Sequence, residues 1–296
     1  MNITLKQLQI FKAVASLSQV KLAAKQQNMS QPAVSMALTE LEKQLNCQLF
    51  DRTGNRLKLN QQGYLLLPMA SELLERSQEI ADTFQNPDHP LNGLLTLGSS
   101  TTIGNYLLPK TLARFELKHP GVSTHLTIHN TSTIINKLLK FEVDLACIEG
   151  PCQHPDIINT PWMTDNLVIL CSPQHLLTSQ NKITFNQLND CHWILREPGS
   201  GTRALFDQHI GQYLSTPNIR MELNQTEAIK QLVLSGLGIT CLSELCAIKE
   251  LERKELIQLP LRNVNLSRQL SLIIHRRKYN SPLLKTLRME LNHPDN

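Results

Sequence analysis

Three stretches of the sequence carry polar side chains at spacings that suit binding chemistry. The first is Ser30-Gln31-Pro32-Ala33-Val34-Ser35, with Thr39 four residues further on. Ser30 reads as a helix N-cap and Pro32 as a first-turn residue, where a missing N–H is harmless. Val34, Leu38, Leu41 and Leu45 then mark one apolar helix face, which leaves Pro32, Ser35, Met36, Thr39 and Lys43 opposite and Gln31 at the N-terminal end. Amide and hydroxyl groups near a helix start can hydrogen-bond to base edges in a DNA groove. An ordinary solvated helix face is the alternative. The second stretch places Arg52, Arg56 and Lys58 around Thr53-Gly54-Asn55, the pattern of a β-hairpin. Its cations suit backbone phosphates, or serve only to keep a hairpin solvated. The third is a pair of loops, Ser99-Ser100-Thr101-Thr102 and Gly199-Ser200-Gly201-Thr202, each between a strand pattern and a helix pattern. The N–H groups and partial positive charge of a helix start attract small anions, although capping alone would also explain the hydroxyls.

Other chemistry is not supported. The sequence has no GxSxG elbow, P-loop, GxGxxG fingerprint or zinc motif. Gly199-Ser200-Gly201 has no identifiable general base, so no catalytic residue, metal ligand or cofactor is expected. Seven cysteines, an odd number without a CxxC pair, sit mostly in apolar runs and read as reduced core thiols.

These stretches need elements to hold them. Leu5, Leu8, Phe11 and Ala15 predict a first helix, and a second begins near Gln19 with Ser18 as its N-cap. The break at Gln27-Asn28-Met29 then separates two short helices in helix-turn-helix fashion, with Ala23 and Ala24 allowing close approach. Residues 61–85 form a long helix in which Leu66, Ala70, Leu73, Ser77, Ile80 and Phe84 are spaced as a coiled-coil seam, interrupted by Pro68, which should kink or delay it. Residues 86–90, Asn-Pro-Asp-His-Pro, are a helix stop and linker. Beyond them strands and helices alternate, which predicts a largely parallel α/β sheet. The strands are expected at 94–98, 124–129, 143–148, 167–172, 193–196, 219–223, 238–242 and 269–275, and the helices at 103–118, 133–141, 202–214, 226–235, 243–251 and 282–291.

The 296 residues carry a net charge of +4 and are 41% hydrophobic, which excludes a disordered chain. The charge is uneven: residues 1–60 hold 8 basic and 3 acidic residues, whereas 61–90 hold 1 basic and 5 acidic. The first segment suits phosphates and the second does not. No apolar run is long enough for a membrane span, and the polar N-terminus is no signal peptide, so a cytoplasmic protein is expected.

Leu22-Ala23-Ala24, Met29-Ser30-Gln31-Pro32-Ala33-Val34-Ser35, Leu41-Glu42 and Leu49-Phe50-Asp51-Arg52 make the chain resemble the LysR-type transcriptional regulators over its full length. The resemblance implies a winged helix-turn-helix in residues 1–60, a dimerising linker helix in 61–89 and a periplasmic-binding-protein-like effector domain in 90–296. Lobe I would take about 91–163 and 267–296, and lobe II about 164–266, with a small-molecule cleft between them. Met36 departs from the family, many members of which place a basic residue there.

The segments 99–106, 148–152, 195–203 and 227–230 further resemble the CysL/YeiE-like subgroup, which is linked to sulfur metabolism. The implied effector is sulfite or a related sulfur oxyanion. It would be held by Ser99, Ser100, Thr101, Thr102, Gly199, Ser200, Gly201 and Thr202, with Arg203 as counter-ion. Glu149 would pair with Arg203 or meet a protonated ligand such as bisulfite, because a bare carboxylate repels an oxyanion, or else would close the cleft by pairing across the lobes. Asn224 and Glu227 are expected to cap the helix that follows. The implied DNA contacts are Ser30, Gln31, Pro32, Ser35, Thr39, Arg52 and Arg56. The expected partners are double-stranded promoter DNA, the effector and a second copy of the chain in a homodimer or homotetramer, with no membrane. A different small organic anion as effector is the alternative, and a cytosolic solute-binding module without DNA binding is a less economical one.

Overall fold

The computed structural model describes residues 2–54, 56–85, 91–261 and 264–292. The expected linker at 86–90 and Asn55 of the hairpin lie outside them. Helix α1 (Leu5–Leu17) starts from a capping box in which Thr4 and Gln7 satisfy each other's backbone N–H groups. Helices α2 (Val20–Gln26) and α3 (Gln31–Leu45) follow, then strands β1 (Phe50–Thr53) and β2 (Arg56–Leu59) in an antiparallel wing. Ser18 is not the cap of α2. It ends α1 in a left-handed conformation (φ 56°), and Gln19 takes the N-cap position without a side-chain bond. Phe11, Val14, Ala23, Val34 and Leu41 are fully buried in the head core, and the rings of Phe11 and Phe50 lie 5.5 Å apart.

Asn60 opens the long helix α4 (Gln61–Gln85), its side-chain oxygen accepting from the Gly63 N–H at 3.0 Å. Gly63 is needed for close approach, since a Cβ there would stand 2.2 Å from the Leu49 carbonyl oxygen. The helix starts at Gln61 and runs through Pro68, so the expected delay does not occur. The seam divides in two. Leu66 and Ala70 pack on the chain's own head, whereas Leu73, Ile80 and Phe84 are 53%, 62% and 82% exposed.

The remaining chain is built from β3 (Gly93–Ser99), α5 (Thr101–Tyr106), α6 (Leu108–Lys118), β4 (Val122–Ile128), α7 (Thr131–Leu139), β5 (Leu145–Glu149) and β6 (Ile157–Cys171). Then come α8 (Phe185–Asn189), β7 (His192–Arg196), α9 (Gly201–His209), β8 (Asn218–Leu223), α10 (Thr226–Leu234) and β9 (Thr240–Ser243). Helix α11 (Ile248–Glu252), β10 (Ile257–Leu259), β11 (Ser267–His275) and α12 (Pro282–Asn292) complete it. The expected helix 103–118 is two helices, and the one expected at 202–214 ends at His209 and gives way to a 3-10 turn at Gly211–Tyr213.

The expected parallel sheet is mixed. β3 pairs parallel with β4 and β5, and β7 pairs parallel with β8. β11 is antiparallel to both β5 and β6. β6 has 15 residues, starting ten residues before the expected strand: its first part pairs with β11, and its second part with β9 and β10 in the other half of the domain. β6 and β11 are therefore the strands that run between the two halves. Among the described residues no helix is long and apolar enough to cross a membrane.

Candidate functional site

Two polar constellations emerge. The first lies on the head. Ser30 caps α3, accepting from the Ala33 N–H at 3.3 Å, and Pro32 occupies the first turn as expected. With Val34, Leu38 and Leu41 buried, Gln31, Pro32, Ser35 and Thr39 are all exposed. The wing is tied to the α1–α2 turn by the Leu57 N–H, which donates to the Ser18 carbonyl at 2.9 Å. Arg52 and Arg56 consequently share one concavity of about 200 Å³ with Gln31, Ser35 and Thr39. Amide and hydroxyl groups and two guanidinium cations thus line one surface. Met36 is 72% exposed beside it.

The second constellation lies between the halves of the α/β domain and is buried. Ser99, Ser100, Thr101 and Thr102 are at most 6% exposed, and Ser200 and Thr202 at most 2%. Glu149 is 1% exposed, and its backbone N–H donates to Ser100 Oγ at 3.2 Å. Helix α5 has only six residues, so its end is a weak anion attractor, and the loop hydroxyls carry the polarity. The Gly199–Thr202 loop meets the start of α7 and the end of β5 directly. The Ser132 N–H donates to the Gly199 carbonyl at 3.1 Å, and Gly201 lies against Glu149, where a Cβ would stand 2.0 Å from the Glu149 carbonyl oxygen. Only glycine permits that approach.

The expected Glu149–Arg203 pair does not form. Arg203 turns outward on α9 and bonds Asp207 and Glu222, and it also donates to the Arg196 carbonyl at 3.1 Å. The buried cation is Arg268 of β11, 4% exposed. Its guanidinium donates to Asp165 at 2.7 Å, to Thr202 Oγ1 at 2.9 Å and to Thr102 Oγ1 at 3.3 Å, and lies 3.6 Å from Glu149 Oε2. Thr102 Oγ1 also donates to Glu149 Oε1 at 3.2 Å. A second buried arginine, Arg196, reaches across to Thr101 Oγ1 at 3.1 Å while paired with Glu197. Glu227 does not cap α10. It accepts from the Tyr106 hydroxyl at 2.7 Å, which joins the two halves at the edge of the cleft.

Arg268 and Arg196 were not expected at the site. Each is a charge at the end of an apolar strand run, and a buried charge requires partners. Two buried polar atoms in this cluster, Glu149 Oε2 and Ser200 Oγ, have no hydrogen-bond partner. All seven cysteines are unpaired thiols, and burial pushes Cys241 and Cys246 up to about 12, so both stay protonated. Among the described residues no group of three or more His, Cys, Asp or Glu is placed to hold a metal ion.

Comparison with known proteins matches the same two parts. The model of the bacterial regulatory helix-turn-helix protein, lysR family, matches residues 5–64, and that of the LysR substrate binding domain matches residues 88–293. The chain is 40% identical over 285 residues to the HTH-type transcriptional regulator YeiE of Escherichia coli, covering 96% of each. A full-length OxyR variant from Pseudomonas aeruginosa shares the fold with a TM-score of 0.73 at 23% identity, over 98% of this chain and 95% of that one. The Synechocystis CcmR regulatory domain in complex with 2-PG is 30% identical with a TM-score of 0.62, over 69% of this chain and 97% of that one.

Proposed function

The chain belongs to the LysR family of DNA-binding transcriptional regulators, which are not enzymes, and from that premise we propose that it reads promoter DNA as a cytoplasmic homodimer or homotetramer under the control of a small sulfur oxyanion, sulfite first. Gln31, Ser35 and Thr39 read bases, Arg52 and Arg56 hold phosphates, and Ser30 and Pro32 set the helix start. The observation carrying this reading is that both residue sets line one exposed concavity. The outward Leu73, Ile80 and Phe84 of α4 suit a partner helix, as apolar seam positions do. Residues 1–60, 61–89 and 90–296 act as head, spacer and sensor.

In the sensor the ligand enters between Ser99–Thr102 and Gly199–Thr202, where Arg196 and Arg268 supply positive charge. Arg203 contributes by fixing the Arg196 backbone. Support for a protonated oxyanion comes from Glu149, whose buried Oε2 lacks a donor that bisulfite's proton would supply. The 40% identity to YeiE agrees with the subgroup resemblance, and the CcmR regulatory domain, 30% identical, is a relative in complex with a small molecule, 2-PG. In the closed cleft Arg268 occupies the threonines itself, so binding must redirect it. The test is thermal unfolding of the full chain with sulfite, sulfate and thiosulfate. Sulfite at about 100 times its dissociation constant should stabilise by about 2.7 kcal/mol, and Ser100→Ala/Thr102→Ala should abolish the effect. A flat response to all three removes sulfur oxyanions from the reading.

A further inference from the structure

One strand joins the sensor cleft to the linker helix. Arg268, the second residue of β11, holds Thr102, Thr202 and Asp165 in the cleft. Just beyond the other end of the strand, Lys278 and Tyr279 grip α4. Lys278 Nζ donates to Glu75 of α4 at 2.5 Å and to Asp144 at 2.6 Å, and its side chain is only 4% exposed. The Tyr279 hydroxyl donates to Glu79 at 2.9 Å, and the Arg76 guanidinium lies 4.4 Å from the centre of its ring. Lys12 of α1 faces the same charges, so the head shares this joint.

Between its two ends β11 is stiff. It is paired on one side with β5 and on the other with β6, and Leu270–Ile274 are buried. At ~3.3 Å per residue, Arg268 to His275 spans about 23 Å. A strand laddered on both edges shifts as a unit, and a charged joint with defined partners has discrete arrangements. The structure assigns Lys278 and Tyr279 as positioning residues that carry the partner exchange of Arg268 in the cleft, along β11, to the linker helix α4. The assignment rests on the reading of the cleft as the effector site. It adds the route by which that site reorients the DNA-binding heads.

Amide hydrogen exchange of the full chain tests it, read in peptides covering residues 72–85 and 276–280. Thr202→Ala and the conservative Arg268→Lys loosen the cleft anchor without ligand. Each should change exchange in those peptides by about threefold or more. Adding Tyr279→Phe should remove the response while leaving the cleft peptides as altered as before, a separation that a merely structural tyrosine would not produce. Val233→Ala, in a buried cluster containing no residue of β11, controls for general loosening and should leave these peptides as in wild type. Changes confined to cleft peptides in both cleft variants overturn the assignment. A response to the variants but not to sulfite supports the coupling and removes sulfite alone.

Discussion

The outward face of the head, α3 with the wing, and the cleft between the halves of the α/β domain are made from much the same alphabet of serine, threonine and arginine. They differ in burial. On α3, Gln31, Ser35 and Thr39 are exposed, so their hydrogen-bonding capacity is held by water until a partner arrives. In the cleft the hydroxyls of Ser100, Thr101, Thr102 and Thr202 already have partners within the chain, among them Arg196 and Arg268. An exposed face contributes little to its own fold. A buried cleft whose groups are paired with one another is part of the core. Substitutions should therefore separate cleanly: the face governs affinity and the cleft governs stability.

The largest effect should come from Arg268→Ala. It leaves Asp165 and Glu149 buried without their shared cation, and breaking a buried ion pair from one side costs roughly 3–5 kcal/mol. At ~2–4 °C per kcal/mol for a domain of this size, the unfolding midpoint should fall by about 10 °C. If calorimetry showed the midpoint unmoved, the cleft would be no more built into the fold than the recognition face is.

Next in size is the mirror experiment on the head. Gln31→Ala and Ser35→Ala should each weaken binding to the cognate promoter by about 1–3 kcal/mol, or roughly ten- to hundredfold. Unfolding stability should stay within about 0.5 kcal/mol of wild type, since neither side chain is buried. Arg52→Ala and Arg56→Ala should act differently, each lowering the slope of log affinity against log salt by about 1 without altering sequence preference. A gel shift at two salt concentrations reads both. Base-contact variants that merely reduce the salt slope would assign Gln31 and Ser35 to phosphates.

The contrast in burial also explains how much was legible in the sequence. The cap, the first-turn proline and the apolar stripe of α3 are local, so its outward face follows from spacing alone. The hydroxyl loops are equally local and lie where expected. Arg268 is 166 residues from Thr102, and nothing in its own neighbourhood names its partners. The nearer Arg203 was the natural counter-ion for Glu149, but α9 presents it to Asp207 and Glu222 one turn away and across to β8. The halved seam has a similar cause. Periodicity marks apolar positions on α4, but which of them face the chain's own head depends on the tertiary docking of Leu66 and Ala70.

The smallest effect concerns pH, and it too should belong to the interior. Gln31, Ser35 and Thr39 do not titrate, so the recognition face adds no pH dependence of its own. His275, 7% exposed at the end of β11, packs tilted against Phe141 with ring centres 4.3 Å apart, and its Nδ1 accepts from the Arg277 N–H at 3.1 Å. Burial holds its pKa below the ordinary 6.5. Arg277 and His154 push in the same direction, and Asp156 opposes them. Well above about 6.5 the imidazole is neutral in both folded and unfolded chains and contributes nothing to the pH dependence. As pH falls below that value the unfolded chain takes up a proton that the folded site resists, so stability is lost until the folded pKa is passed. One such proton gives a slope of at most ~1.4 kcal/mol per pH unit. His175 is shifted the same way, so His275→Gln should flatten the dependence without abolishing it. Urea unfolding at about pH 7.5 and 5.5 measures this: wild type should lose more stability between the two than the variant does. Equal losses would show that the imidazole takes up its proton as readily in the folded chain as in the unfolded one.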